Sequence, residues 1–345
     1  VDSTHHQLSC NFALQKGFFP NMNVYLGRKR QIVLLKILIS TAFLFVLFIL
    51  TDTEKMISAM IDINLLVVLF SCGLCFLQMI LAGIRWYAIG TRTGSFISFF
   101  TTMRINFAAM FSNQVLPSSI GGDVVKTALA TKEGLALGRA IRTVLLDRMT
   151  GLISLIVLIA ATYGVIESYF PKEWALKGSQ LIVVPILGAL LITLYNGAKI
   201  SKFLQKFEYL KWIRTFLYEA SVLFGVGWTA LYTISISIII HSIGALCVWI
   251  LALNLGLNIN YIVVLAFLPL ISLAQLVPIS IAGWGVREGT LVSLFALMGL
   301  DPSISLVVSV IWGGSIVIAA IFSGLIWFCM RSADENLRDI KAHEF

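Results

Sequence analysis

The sequence predicts an all-α, polytopic integral membrane protein with about six full transmembrane helices and two re-entrant, broken-helix hairpins arranged as an inverted repeat. Three observations predict it. First, 59% of the 345 residues are hydrophobic and only 12% are charged, with a mean hydropathy of +0.93, whereas a soluble domain carries about 25% charged residues. Second, the apolar residues fall in runs of about 18 or more, enough to cross a hydrocarbon core of about 30 Å as a helix. In lipid such runs must be helical, because every backbone polar group needs a partner within the segment. Third, two of the apolar segments end in similar proline–glycine breaks, Leu116–Asp123 and Val277–Gly285.

Residues 1–30 form a polar leader that ends in Arg28-Lys29-Arg30. They contain no apolar stretch of the kind a cleavable signal peptide needs, so none is expected. Residues 31–330 are the transmembrane domain, and 331–345 a polar tail. Within the domain, full spans are predicted at 31–50, 63–84, 141–164, 180–196, 227–255 and 303–329. Arg85–Gly94 reads as a polar connection, and 197–222 as a basic stretch. The first broken element runs from 95 to 114, breaks, and continues as a short helix to 130. The second runs from 261 to 277, breaks, and continues over 286–299.

The breaks align without a gap. Pro117 meets Pro278, Ser119 meets Ser280, Ile120 meets Ile281, Gly122 meets Gly283, Val125 meets Val286 and Lys126 meets Arg287. Each proline removes a backbone donor, and Gly121, Gly122, Gly283 and Gly285 permit tight reversal. Any proline–glycine helix break shares some of this likeness, so topology has to separate the readings. If each broken element enters and leaves on one face, lysine and arginine collect on the side of the two termini. Only Lys55, Lys172 and Lys177 fall on the other side. Basic loops mark the cytoplasm, so both termini are placed there, in the cell (inner, cytoplasmic) membrane. If 95–114 crossed fully, the basic stretch 199–214 would face outward. Two similar broken elements of opposite orientation are the signature of transporters, whose site lies at the paired breaks.

The net charge of +8 does not point to nucleic acid. The basic residues sit between apolar runs, and no polar domain is long enough to carry a binding face. Cys72-x-x-Cys75 lies inside an apolar run with no partner pair or nearby histidine. It reads as small packing residues, not as a redox or metal pair. No cofactor and no metal are expected.

A charge at the centre of a membrane helix costs about 2.5–3.5 kcal/mol on insertion scales. Ionisable groups within the apolar segments therefore need partners or a hydrated cavity. They are Arg104, Asp123, Lys126, Asp147, Arg148, His241, Arg287 and Glu288. Arg148 sits where it can snorkel to the surface, and His241 reads as a helix-packing hydrogen bond. Asn113 fits either freed backbone at the break or a ligand. Cations beside open helix ends suit an anionic headgroup.

The stretch Asn113–Pro117 with Gly121-Gly122-Asp123, then Asp147-Arg148, then Pro278–Glu288 (PISIAGWGVRE) resembles the transmembrane domain of lysylphosphatidylglycerol synthase/flippase proteins. The likeness covers residues 30–330. It implies a flippase-like fold that moves lipids or lipid-linked headgroups between leaflets. In bifunctional members a soluble acyltransferase domain follows. This chain runs about 15 residues past its last apolar run, so it resembles the stand-alone members, and a transporter is expected here in place of a synthase. Lys126 stands where the family motif often has arginine, which keeps the charge and loses the bidentate fork.

On this reading the lipid headgroup is bound by Arg104, Asn113, Asp123, Lys126, Arg148, Arg287 and Glu288. The cations contact phosphate, while Asp123 and Glu288 orient them or couple transport to protons. The expected partner is a membrane lipid, with a lipid-modifying enzyme as a further candidate. Two other readings remain. One is a membrane-embedded enzyme with Asp123 or Glu288 as general base, although no nucleotide loop or nucleophile elbow is present. The other is a non-transporting partner of such an enzyme.

Overall fold

The computed structural model describes residues 38–49, 51–95, 97–116, 120–170, 188, 192–193, 195–225, 227–276 and 280–343, the last twelve as backbone alone. The polar leader, most of the predicted span 180–196, Pro117 and Pro278 lie outside the described residues. The chain is helical, with no strand among the described residues. The helices are α1 (Leu38–Ile49), α2 (Thr53–Asp62), α3 (Leu65–Arg92), α4 (Phe99–Val115), α5 (Gly121–Lys132), α6 (Leu137–Ala161) and α7 (Tyr163–Tyr169). They continue as α8 (Gly197–Phe203), α9 (Lys211–Phe224), α10 (Gly227–Asn254), α11 (Tyr261–Ala274), α12 (Val286–Ala296) and α13 (Pro302–His343). Two 3₁₀ turns, Leu204–Lys206 and Glu208–Leu210, join α8 to α9.

Among the described residues, four helices are long and apolar enough to cross a membrane: α3, α6, α10 and the Pro302–Arg331 part of α13. Their starts follow from local chemistry. Asn64 caps α3, its side chain accepting from Leu66 N–H at 2.9 Å, and Asp301 caps α13, accepting from Ser303 N–H at 2.8 Å. Capping satisfies donors that have no intrahelical partner. The core gathers where α3, α10, α11, α12 and α13 meet, around Cys75, Val248, Phe267, Phe295 and Trp312. Leu69, Phe70, Ile239, Ile321 and Leu325 face outward and are exposed. On a membrane helix that outer apolar face meets acyl chains.

Two groups of contacts define the ends of the bundle. At one end, Asp52 N–H donates to Ser303 Oγ at 2.9 Å, Lys55 pairs with Asp301 at 3.2 Å, and Asn64 N–H donates to Asn254 Oδ1 at 3.0 Å. At the other, Arg139 donates to the Gly94 carbonyl at 2.6 Å and Arg142 pairs with Glu219. The chain reaches the Gly94 end through α3, makes α4 and α5, and leaves from the same end into α6. It reaches the Asn254 end through α10, makes α11 and α12, and leaves from that end into α13. The two helix–break–helix elements therefore open at opposite ends.

The structure also corrects several boundaries. Arg85 does not begin a connecting loop: α3 continues to Arg92 and stops at Gly94, whose φ of +78° is in the left-handed region. Ser95 N–H then closes back on the Gly90 carbonyl at 2.8 Å, the closure a glycine helix end allows. α13 runs on to His343, past the predicted end at 329. The two breaks also differ in length. Residues 116–120 separate α4 from α5, whereas 275–285 separate α11 from α12. In the second, Ala282, Gly283 and Gly285 all have positive φ (49°, 81° and 86°), so the backbone cannot re-enter a helix until Val286. Lys126 thus lies in the middle of its helix and Arg287 in the first turn of its own, although the sequences align them.

Candidate functional site

The first break builds a cluster of charges between α3, α5 and α6. Asn113, near the end of α4, accepts the Gly122 backbone N–H on its Oδ1 at 2.8 Å and so satisfies one of the open donors at the start of α5. Gly122 is needed for this approach, because a Cβ there would collide with the Ala109 carbonyl oxygen and with Asn113 itself. Gly121 packs likewise against the Leu116 side chain.

This close crossing carries Lys126 inward, where only 3% of it is exposed. Its ammonium lies 3.2 Å from Asp147 Oδ2 and 4.3 Å from the centre of the Trp86 ring. The other carboxylate oxygen of Asp147 takes Arg85 Nε at 2.7 Å, and Arg85 also donates to Ser237 Oγ of α10 at 2.8 Å. Two cations, Lys126 buried and Arg85 nearly so, therefore share one carboxylate. Asp147 is about 15 Å along α6 from its start, at 1.5 Å per residue, which puts the cluster well inside the bundle. A lone ammonium there would be expensive; the carboxylate and the indole face offset that cost.

Around this triad stand two further pairs. Arg148 donates to Asp123, and this pair is the more open, with side chains 37% and 21% exposed. Arg104 pairs with Glu133 at 2.6 Å, joining the start of α4 to the end of α5. Asn106 donates to the Met79 carbonyl at 2.9 Å and ties α4 to α3.

The second break builds a separate cluster. Glu288 is fully buried, accepting Gly285 N–H on Oε2 at 2.6 Å and Arg287 Nε on Oε1 at 2.9 Å. The carboxylate thus caps the open start of α12 and pins its neighbouring guanidinium. Arg287 lies 4.6 Å from the Trp284 ring centre and 5.6 Å from that of Trp312. Its guanidinium rests where a Cβ on Gly313 of α13 would stand. Beside α12, on the face away from this pair, an apolar groove of about 850 Å³ is lined by Phe43, Val46, Val286, Gly289, Thr290 and Ser293.

The candidates Arg104, Asp123, Lys126, Asp147, Arg148, Arg287 and Glu288 are thus all in ion pairs. Arg104, Asn113, Asp123, Lys126 and Arg148 gather around the first break, Arg287 and Glu288 at the second. Among the described residues, no hydrogen bond, ion pair or ring contact joins Lys126 to Arg287. Sequence reasoning missed Arg85, Trp86, Ser237, Trp284 and Trp312 as parts of these clusters. For Arg85 a signal existed, since no proline interrupts the chain between it and Gly94 and the helix had no reason to stop.

Residues 33–324 match the family described as the lysylphosphatidylglycerol synthase TM region. A UPF0104 membrane protein from Archaeoglobus fulgidus is 30% identical over 175 residues, which cover 49% of this chain and 52% of that protein. The chain thus spans about half the length of the curated relative it matches.

Proposed function

As the chain belongs to the lysylphosphatidylglycerol synthase TM-region family, we propose that it translocates a phospholipid or another lipid-linked anionic headgroup across the cytoplasmic membrane, with both termini on the cytoplasmic side. The observation that carries this reading is the buried triad. Arg85 of the membrane-crossing helix α3 and Lys126 of the short helix α5 share the single carboxylate of Asp147 on the membrane-crossing helix α6, so two basic groups face one acid, an arrangement that an anionic group completes. The Arg148–Asp123 pair is the exposed approach to it. A phosphate that takes Arg148 from Asp123 exchanges one charge-assisted pair for another, a swap with a small net cost. The apolar groove along α12 suits acyl chains near the second break. Glu288 is a poor general base, because both its oxygens already accept hydrogen bonds. This argues against Glu288 as the base of an enzyme and leaves Asp123, paired with Arg148, as the base that the catalytic reading would need.

The test is movement of a fluorescent phosphatidylglycerol between leaflets of proteoliposomes. Arg85→Gln and Lys126→Gln are each expected to slow it by about tenfold or more, which corresponds to about 1.4 kcal/mol. The exposed Lys132→Ala is expected to leave it unchanged. Wild-type rates in both cluster variants, with an unaltered size-exclusion profile, would remove the headgroup site from the first break.

A further inference from the structure

The basic stretch between α8 and α9 takes no part in either cluster, yet its construction is specific. Over residues 197–218 stand Lys199, Lys202, Lys206, Lys211 and Arg214 against one acid, Glu208. The four lysines are exposed. Between them, Phe203 and Tyr209 are 72% and 81% exposed, and Phe207, Trp212 and Tyr218 are open as well. A solvated basic loop has no use for a row of bare aromatic rings.

The other side of the same element is fixed to the bundle. Glu219 accepts both Arg142 Nε and a terminal Arg142 nitrogen, at 2.7 and 2.9 Å, and both side chains are nearly buried. Ala220 and Leu223 pack with Ile89, Leu146 and Ile153 of α3 and α6. Gly197 lies against the Leu217 carbonyl with no room for a side chain, which holds α8 and α9 tightly together. Arg92, at the end of α3, donates to the Val222 carbonyl at 3.2 Å. The lysine–aromatic face is therefore presented by a rigid support at the end of the bundle where α3 stops and α10 begins. There Trp228 and Tyr232 are also exposed.

We propose that residues 197–218 form a docking surface for the anionic lipid leaflet at this end of the bundle, separate from the buried charge clusters. Aromatic rings partition to the boundary between headgroups and acyl chains, and lysines beside them reach the phosphates. Four exposed lysines against one glutamate match the negative potential of such a leaflet. Continuity with the ends of α3 and α10 sets the element at the height of that boundary. The surface holds the bundle end against lipid and raises the local concentration of anionic headgroups there.

The experiment replaces Cys10, Cys72, Cys75, Cys247 and Cys329 with serine and labels Tyr209→Cys with an environment-sensitive fluorophore. The protein is then reconstituted in phosphatidylcholine nanodiscs with or without phosphatidylglycerol. The expected result is a blue-shifted emission, quenched by acyl-brominated phosphatidylglycerol, in the anionic discs only. High salt should reverse it, because the charges are exposed and screened. The variant K199Q/K202Q/K206Q/K211Q should lower the quenching about tenfold. Equal emission in neutral and anionic discs overturns the proposal, as does salt-insensitive quenching in the labelled protein with all four lysines. A shift produced only by added soluble polyglutamate also overturns it, in favour of an acidic protein partner. None of these readouts depends on lipid translocation, so the two ideas stand or fall separately.

Discussion

The Arg287 guanidinium rests against Gly313, with indole rings nearby and the Glu288 carboxylate at its edge. A methyl group at Gly313 would occupy the guanidinium's place, whereas at the neighbouring Gly314 nothing lies within 4 Å. Gly313→Ala is therefore expected to lower the thermal stability of the purified protein by about 1–3 kcal/mol, the range for overpacked interiors, and Gly314→Ala to leave it near wild type. Equal melting temperatures for the two variants would show that Arg287 can vacate its position freely. The sequence named Arg287 and Glu288 because ionisable groups next to a membrane helix break must find partners. It did not name Trp312 and Gly313, because they stand on α13, and nothing local in that helix announces what packs against it. Asp147 was visible as a costly buried acid. Its partners Arg85 and Lys126 come from two other helices, so their meeting is a property of the tertiary packing.

The two broken elements show how far periodicity and turn chemistry reach. The existence and order of α4, break and α5, and of α11, break and α12, follow from apolar runs interrupted by glycine and proline. The unequal break lengths do not. They depend on which residues take positive φ, and Ala282 does so beside two glycines where its side chain gives no warning. Pro269 inside α11 adds an interruption that the apolar pattern alone hides. The first element also has a ranking that can be measured. A Cβ on Gly122 meets the Ala109 carbonyl oxygen, which belongs to the backbone of α4, while one on Gly121 meets only the Leu116 side chain. Leu116 Cβ moves only with its backbone, but Leu116 stands past the end of α4, in the break, and shifts more readily than the helix backbone at Ala109. Gly122→Ala should therefore destabilise the folded protein more than Gly121→Ala, by about 1 kcal/mol or more, read as melting temperatures by fluorescence-detected size exclusion. The reverse order would mean that α4 and α5 separate easily and that their close crossing is not what carries Lys126 inward.

At the scale of the molecule, the ends of the bundle differ in chemistry. One end collects Arg92, Arg139, Arg142 and the lysines of 199–211; the other holds Lys55 among Asp52, Glu54, Asp62 and Asp301. Asp301 illustrates the second end. Burial raises its pKa and is the largest single effect, but the Lys55 ammonium and the Ser303 and Ile304 N–H groups together outweigh it and hold the carboxyl below the usual range. Basic ends stay in the cytoplasm during insertion because lysine and arginine are translocated poorly. Under the proposed orientation the first broken element opens to the cytoplasm and the second to the exterior, since the two open at opposite ends of the bundle. Single cysteines at Tyr169 and Pro302, in the cysteine-free background, are accordingly expected to react with an impermeant maleimide added to whole cells. A cysteine at Tyr209 is expected to react only after permeabilisation. Tyr209 is almost fully exposed, so a failure to label from outside cannot come from burial within the protein, and the gain of labelling on permeabilisation is what assigns it to the membrane barrier. Labelling of Tyr209→Cys in intact cells would reverse the whole arrangement, placing the buried triad nearer the outer leaflet and the Arg287–Glu288 pair nearer the inner one.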